Sequence, residues 1–191
     1  DVYKRQVYWQ ASDSLLLTLG LRYSEEEKSS KQRSIYLGFL DDPAAPNGGY
    51  EDFGGEWEEP TGKFNITWDV ADDVMTYLTL SRSYKSGGFN PISSSSPVLA
   101  EDASLAEFDP EYINAFEIGL KSRFFDQTLQ SNISFFYYDY EGLQISTINN
   151  QTALNLNYDA TIQGIEAEFV WVPTDNWRFS SNLAWLDSAM D

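Results

Sequence analysis

The sequence predicts an all-β membrane fold: a segment of antiparallel transmembrane β-barrel, about eight strands in four hairpins, in meander order, as an open curved sheet. Three observations carry this. Apolar and polar residues alternate over runs of about ten residues, whereas soluble strands usually stop after five or six and a tilted membrane strand needs roughly ten. Polar turns alternate with much longer connections, which suits a barrel with short turns on one rim and loops on the other. Finally, the chain is 42% hydrophobic and 16% aromatic. It nevertheless contains no run of about eighteen apolar residues, so a membrane helix is excluded while alternating strands are not.

The alternation is clearest around Asp126. Phe116, Ile118 and Leu120 oppose Glu117, Gly119 and Lys121 before the turn, and Leu129, Ile133, Phe135 and Tyr137 oppose Gln130, Asn132, Ser134 and Tyr138 after it. Strands are expected over 7–10, 15–28, 63–69, 74–86, 111–123, 128–148, 155–172 and 177–187. In 15–28 the apolar face is Leu15, Leu17, Leu19, Leu21 and Tyr23; in 63–69 it is Phe64, Ile66 and Trp68. Ile165, Ala167, Phe169 and Trp171 continue it, as do Phe179, Leu183 and Trp185. Asp-containing turns are expected at 11–14, 71–73, 125–127 and 173–176. The remaining connections, 29–62, 87–110 and 149–154, fall on the opposite rim. Trp68, Trp171 and Trp177 then suit the turn-side aromatic girdle, and Tyr23, Tyr84 and Tyr137 the loop-side one.

Charge and composition exclude several functions. Thirty acids against twelve bases give a net charge of −18, which disfavours nucleic acid. With neither His nor Cys the chain cannot build a Ser-His triad, a His-ligated zinc or haem site, a thiol nucleophile or a disulfide. No cofactor is expected.

Several runs in order along the chain resemble the barrel of TonB-dependent outer-membrane receptors. They are Leu19-Gly20-Leu21-Arg22-Tyr23, Tyr84-Lys85-Ser86-Gly87-Gly88-Phe89-Asn90, and Pro110-Glu111 followed by Phe116-Glu117-Ile118-Gly119-Leu120-Lys121-Ser122. Phe136-Tyr137-Tyr138-Asp139-Tyr140 with Leu143-Gln144, then Gly164-Ile165-Glu166, complete the set. The resemblance implies an energised importer in the bacterial outer membrane, most often of ferric siderophores, in which a plug domain fills a barrel of about 22 strands. Its implied partners are outer-membrane lipid, the plug, the TonB energy-transducing complex and the siderophore. Eight strands make under half of such a wall, which at roughly 24 residues per strand needs on the order of 500 residues. Residues 1–191 are thus expected to be a barrel fragment without its plug, with 1–6 resembling translated adapter sequence and both ends cut.

Candidate sites follow from the loop side. The aromatic residues Tyr50, Phe53 and Trp57, with Lys85 and Phe89 at the end of a strand, are candidates for substrate binding. Asp41, Asp42, Glu51 and Asp52 are weaker candidates for a hard cation, and their spacing does not match an EF-hand. Glu117 and Lys121 are expected to join a lumen network with Arg22 or Arg178. Two other functions remain open: a complete small barrel of eight strands, and a soluble sugar-binding or glycosidase-like sandwich using Glu166 and Glu168. Those two share a strand face about 7 Å apart, the spacing of an inverting carboxylate pair.

Overall fold

The computed structural model describes residues 1–32, 50–91, 102–149 and 152–191. Eight long strands form one antiparallel sheet. They are β1 (Val2–Ser12), β2 (Leu15–Gln32), β3 (Glu51–Ala71), β4 (Val74–Lys85), β7 (Glu111–Phe124), β8 (Leu129–Asn149), β9 (Thr152–Thr174) and β10 (Trp177–Met190). Two short strands, β5 (Gly88–Phe89) and β6 (Glu107–Phe108), pair with each other inside the β4–β7 connection. The large sheet runs in the order β1-β2-β3-β4-β7-β8-β9-β10, a pure meander. Its first and last strands do not pair, so the sheet is open and a complete small barrel is ruled out.

The register explains why the alternation is so regular. One row crosses all eight strands through Trp9, Leu17, Ile66, Leu78, Ile118, Phe135, Ile165 and Trp185, each opposite the next. The adjacent row on the other face reads Tyr8, Thr18, Asn65, Thr79, Glu117, Phe136, Gly164 and Leu186. A one-residue slip anywhere would exchange these faces, so the apolar row fixes the pairing. Ile118 remains 42% exposed and Ile165 46%, because no second layer covers this face. A soluble sheet would bury such a row; left bare, it has the surface that a lipid-facing wall requires.

The opposite face fills its gaps with rings laid over glycines. A Cβ on Gly119 would come within 2.4 Å of the Tyr77 ring directly across the ladder, and one on Gly164 within 2.7 Å of the Phe136 ring. The ring replaces the packing that a glycine cannot supply in a strand.

Four tight turns occupy one rim. Three centre on Asp13-Ser14, Asp72-Asp73 and Asp175-Asn176. The fourth places three consecutive non-glycine residues in the left-handed region, Phe125 (φ 54°), Asp126 (φ 50°) and Gln127 (φ 66°). Thr128 closes it by donating both its N–H and its hydroxyl to the Phe125 carbonyl, at 3.1 and 2.8 Å.

The largest departure from expectation is β3. It begins at Glu51, so 51–62 belongs to a strand and not to a loop, and β2 continues to Gln32 to pair with it. The acidic run had hidden this extension, since glutamates read as loop in a sequence while they cost little on a strand exposed to water. β1 likewise begins at Val2, earlier than residue 7.

Candidate functional site

Above the membrane band the wall divides into arms, and Pro60 sets the point of division. Asp69 donates its backbone N–H to the Ser14 carbonyl, which fixes odd-numbered residues of β3 as the ones bonded to β2. Even-numbered residues therefore bond to β4, and the last such pair is Gly62 with Arg82. The next would be Pro60 with Tyr84, where proline has no N–H to offer. Beyond Gly62, β2 and β3 continue together for eleven more residues of β3, to Glu51 opposite Gln32, without β4.

The β4–β7 connection fills the space beside this arm. Ser86 donates its hydroxyl to Glu26 Oε2 at 2.7 Å, and Lys28 Nζ donates to the Gly87 carbonyl at 2.8 Å. Lys28 Nζ also lies 5.3 Å from the Trp57 ring centroid. Phe89 then packs against two rings of the arm, Phe53 at 5.6 Å and Trp57 at 6.0 Å between centroids. The glycines before it are required by close approach: a Cβ on Gly87 would meet the Phe108 carbonyl oxygen at 2.5 Å and Trp57 Nε1 at 2.8 Å. Gly88 would meet the Phe108 ring at 2.6 Å.

Asn90, fully buried, ties the same connection to β9. Its Nδ2 donates to the carbonyls of Leu105 and Asn155, both at 3.0 Å, and its Oδ1 accepts the Asn155 N–H at 2.7 Å. Asn157 makes the corresponding pair of bonds to Asp109, accepting its N–H at 2.9 Å and donating to its carbonyl at 2.9 Å. Gln144 adds donations to the Ser86 and Asp109 carbonyls, each at 3.0 Å. Between these anchors a 3-10 turn (Ala103–Ala106) is capped by Asp102, which accepts from the Ser104 N–H and hydroxyl. Those two donors hold the Asp102 carboxyl below the ordinary carboxylate range.

Of the expected substrate-binding residues, the structure brings Phe53, Trp57 and Phe89 into one cluster. Tyr50 stands at the far end of the arm under Lys31, whose Nζ is 5.4 Å from its ring centroid. Lys85 ends β4 in an ion pair with Glu111, 3.9 Å away across the ladder. Among the cation candidates, Asp41 and Asp42 lie outside the described residues. Glu51 and Asp52, as successive strand residues, point to opposite faces, and Asp52 pairs with Lys31 at 3.9 Å. No group of three or more acids among the described residues is arranged to hold a metal ion. The anchoring role of Asn90, quoted above only within a matching run, was missed because an asparagine close behind two glycines reads as an ordinary turn residue, and nothing local shows that its amide meets a strand 65 positions away.

The lumen network also differs from expectation. Glu117 accepts a hydrogen bond from the Tyr77 hydroxyl, and Lys121 Nζ lies 5.6 Å from the Tyr77 ring centroid. Arg22 instead donates to Ser24 Oγ at 2.9 Å, and no bond joins it or Arg178 to this group. The distance along the sheet decides this: Arg22 and Lys121 are on β2 and β7, with β3 and β4 between them. Glu168 accepts from Asn132 at 3.1 Å on the same polar face. Among the described residues, no second sheet encloses Glu166 and Glu168.

Comparison with known proteins agrees with this architecture. The family described as TonB dependent receptor-like, beta-barrel matches residues 6–191. The ferric yersiniabactin uptake receptor FyuA from Yersinia pestis superposes with a TM-score of 0.72 at 18% identity, over 100% of this chain and 27% of that one. The copper transporter OprC gives 0.70 at 19% identity, over 98% of this chain and 27% of that one. The siderophore receptor PiuA from Acinetobacter baumannii gives 0.64 at 23%, over 98% and 25%. The chain thus spans about a quarter of the length of these structures. It belongs to the TonB-dependent receptor β-barrel family, and so to the bacterial outer membrane; the family consists of transport receptors, not enzymes, which retires the glycosidase reading.

Proposed function

We propose, from this family membership, that the chain is a wall segment of a larger barrel whose receptor imports a ferric siderophore. A plug domain outside residues 1–191 would fill the lumen and couple to TonB. The polar face carrying Tyr77, Glu117, Asn132 and Glu168 is the surface toward that plug. The likeness to FyuA, a ferric yersiniabactin uptake receptor, and to the siderophore receptor PiuA supports the siderophore, while the copper transporter OprC carries another cargo on a similar architecture.

The observation that carries the assignment of a ligand contact is the meeting of Phe53 and Trp57 of the β2–β3 arm with Phe89 of the β4–β7 connection on the loop side. Two rings from a rigid strand pair and a third from a pinned loop form a half-buried apolar surface at low entropic cost. Such a surface suits the rim where a ligand first lands. In the full-length receptor, Trp57→Ala and Phe89→Ala are expected to weaken ferric-siderophore binding at least about tenfold, consistent with loss of an aromatic anchor. Wild-type affinity in both variants, measured by fluorescence titration, would move the ligand contact elsewhere.

A further inference from the structure

The lipid-facing surface is notched at one place on the turn side. Two apolar rows cross β8, β9 and β10 there: Leu129, Trp171 and Phe179 nearest the turns, and Ile133, Ala167 and Leu183 further up. The row between them reads Ser131, Phe169 and Ser181, and Ser122 of β7 extends it. Ser122 and Ser131 are buried beneath their neighbours, and the Ser122 hydroxyl donates to the Ser131 carbonyl at 3.1 Å. Small side chains between larger ones leave a groove of about 890 Å³, walled by Leu129, Phe169, Trp171, Phe179 and, from the turn, Phe125. Its rings are already packed on one another: Trp171 lies 5.7 Å from Phe179, and Trp177 stacks on Phe179 at 5.8 Å and 6°.

Two departures from regular backbone meet at this groove. The turn at Phe125, Asp126 and Gln127 holds three successive residues at positive φ, and no other non-glycine residue among those described has one. The pairing of β9 with β10 shifts register where Thr174 and Trp171 face Trp177 and Phe179, beside Pro173. Left-handed turns and bulges cost free energy, and they persist where they place a side chain that the fold uses. Here the turn holds the Phe125 ring, 75% exposed, as a wall of the groove.

We infer that this groove is a binding site for an acyl chain of one phospholipid of the periplasmic leaflet, retained by the receptor and not exchanging freely with the surrounding bilayer. The groove is continuous with the lipid-facing wall, and the short turns of such barrels are periplasmic, so the chains that reach it belong to the inner leaflet. A hydrocarbon chain lying between rings and strand meets atoms on several sides, where a flat wall would offer one; the added dispersion contacts are what retain it. A second copy of the receptor does not fill the same space, because a two-fold contact would set groove against groove and leave a void between them. The groove takes no part in pairing the strands, and its occupant is independent of the cargo that the receptor imports.

The test uses the full-length receptor extracted from outer membranes in mild detergent. Native mass spectrometry is expected to find a retained phospholipid on the wild type and none on Ser181→Phe, which fills the groove from a lipid-facing position without adding charge. A diacyl phospholipid brominated along its chains is then titrated into the detergent, with the emission of Trp171 and of Trp185 each isolated by difference from its Phe variant. Trp185 stands on the lipid face of β10 outside the groove and reports ordinary lipid contact. Trp171 is expected to reach half-quenching at a lipid-to-detergent ratio at least about fivefold below that of Trp185, the scale of a good aromatic contact. Ser181→Phe is expected to remove the difference, and so is Phe125→Gly, which takes away a wall while relaxing the turn. Parallel quenching of the two tryptophans, a difference that survives both variants, or a receptor dimer that carries no lipid would each overturn the inference.

Discussion

The turn-side and loop-side halves of this sheet are held by different physics. On the turn side, every strand repeats one rule: an apolar residue toward lipid, then a polar or ring-covered residue toward the lumen, as in the row from Trp9 to Trp185. No single contact there is special, because the surrounding medium enforces the pattern. On the loop side the strands part at Pro60, and particular side chains decide the shape: Asn90 on Asn155, Lys28 on Gly87, Phe89 on Trp57. Periodic order serves insertion, and the specific contacts are where one receptor can differ from another.

Substitutions sharpen this contrast, beginning with the most severe. Ile118→Arg places a charge in the middle of the apolar row, between Leu78 and Phe135. It is expected to cost about 2–4 kcal/mol, the midplane value for outer-membrane barrels, seen as a lowered urea midpoint of the full-length receptor refolded in lipid. An unchanged midpoint would mean that this face does not meet lipid.

Gly119→Ala comes next. Its methyl would enter the Tyr77 ring, and overpacking of this kind costs roughly 1–3 kcal/mol. Tyr77→Ala in the same chain should recover part of that loss by removing the clash. Full additivity of the two changes would show that the ring does not lie over the glycine.

Asn90→Ala should act on the loop side alone. It leaves the backbone groups of Asn155 unpaired, a loss of about 1–3 kcal/mol, yet the connection can open without unzipping the wall. Hydrogen exchange is therefore expected to quicken in 86–90 and 102–109 while the urea midpoint stays put. A global loss of stability would erase the division between the halves.

The smallest effect is a gain. Phe125→Gly removes the left-handed strain of a bulky residue in the turn, worth on the order of 1 kcal/mol. Phe125 is 75% exposed, so little packing is lost in water. A destabilised variant in lipid, with the gain confined to detergent, would identify the ring as an interfacial anchor.

Legibility in the sequence follows the same division. The eight strands, their order, their outward faces and the four turns all announce themselves, because a period of two against lipid leaves a trace at every second residue. The start of β3 did not, for Glu56, Glu58 and Glu59 satisfy a water-exposed strand as readily as a loop. Pro60 was the available signal. Read as a missing donor on the β4 side, it marks where one ladder stops and the other continues. The aromatic candidates were visible as residue types, but the cluster depends on Phe89 folding across to residues more than thirty positions earlier in the chain. Asn90 stood in a run that carries the family resemblance, but its anchoring role had no local signature, since its partners are two carbonyls and an N–H of the kind every residue possesses.

The most direct measurement compares two tryptophans in the full-length receptor, Trp57 on the loop side and Trp171 beside the turn-side rim. Each is removed in turn by a change to Phe, and ferric-chelate binding is followed by fluorescence and by TonB-dependent uptake. Loop-side recognition predicts that Trp57→Phe abolishes the ligand-dependent change in emission and weakens uptake, while Trp171→Phe leaves both intact. Equal losses from the two substitutions, or a loss confined to Trp171→Phe, would contradict the assignment of recognition to the loop-side half.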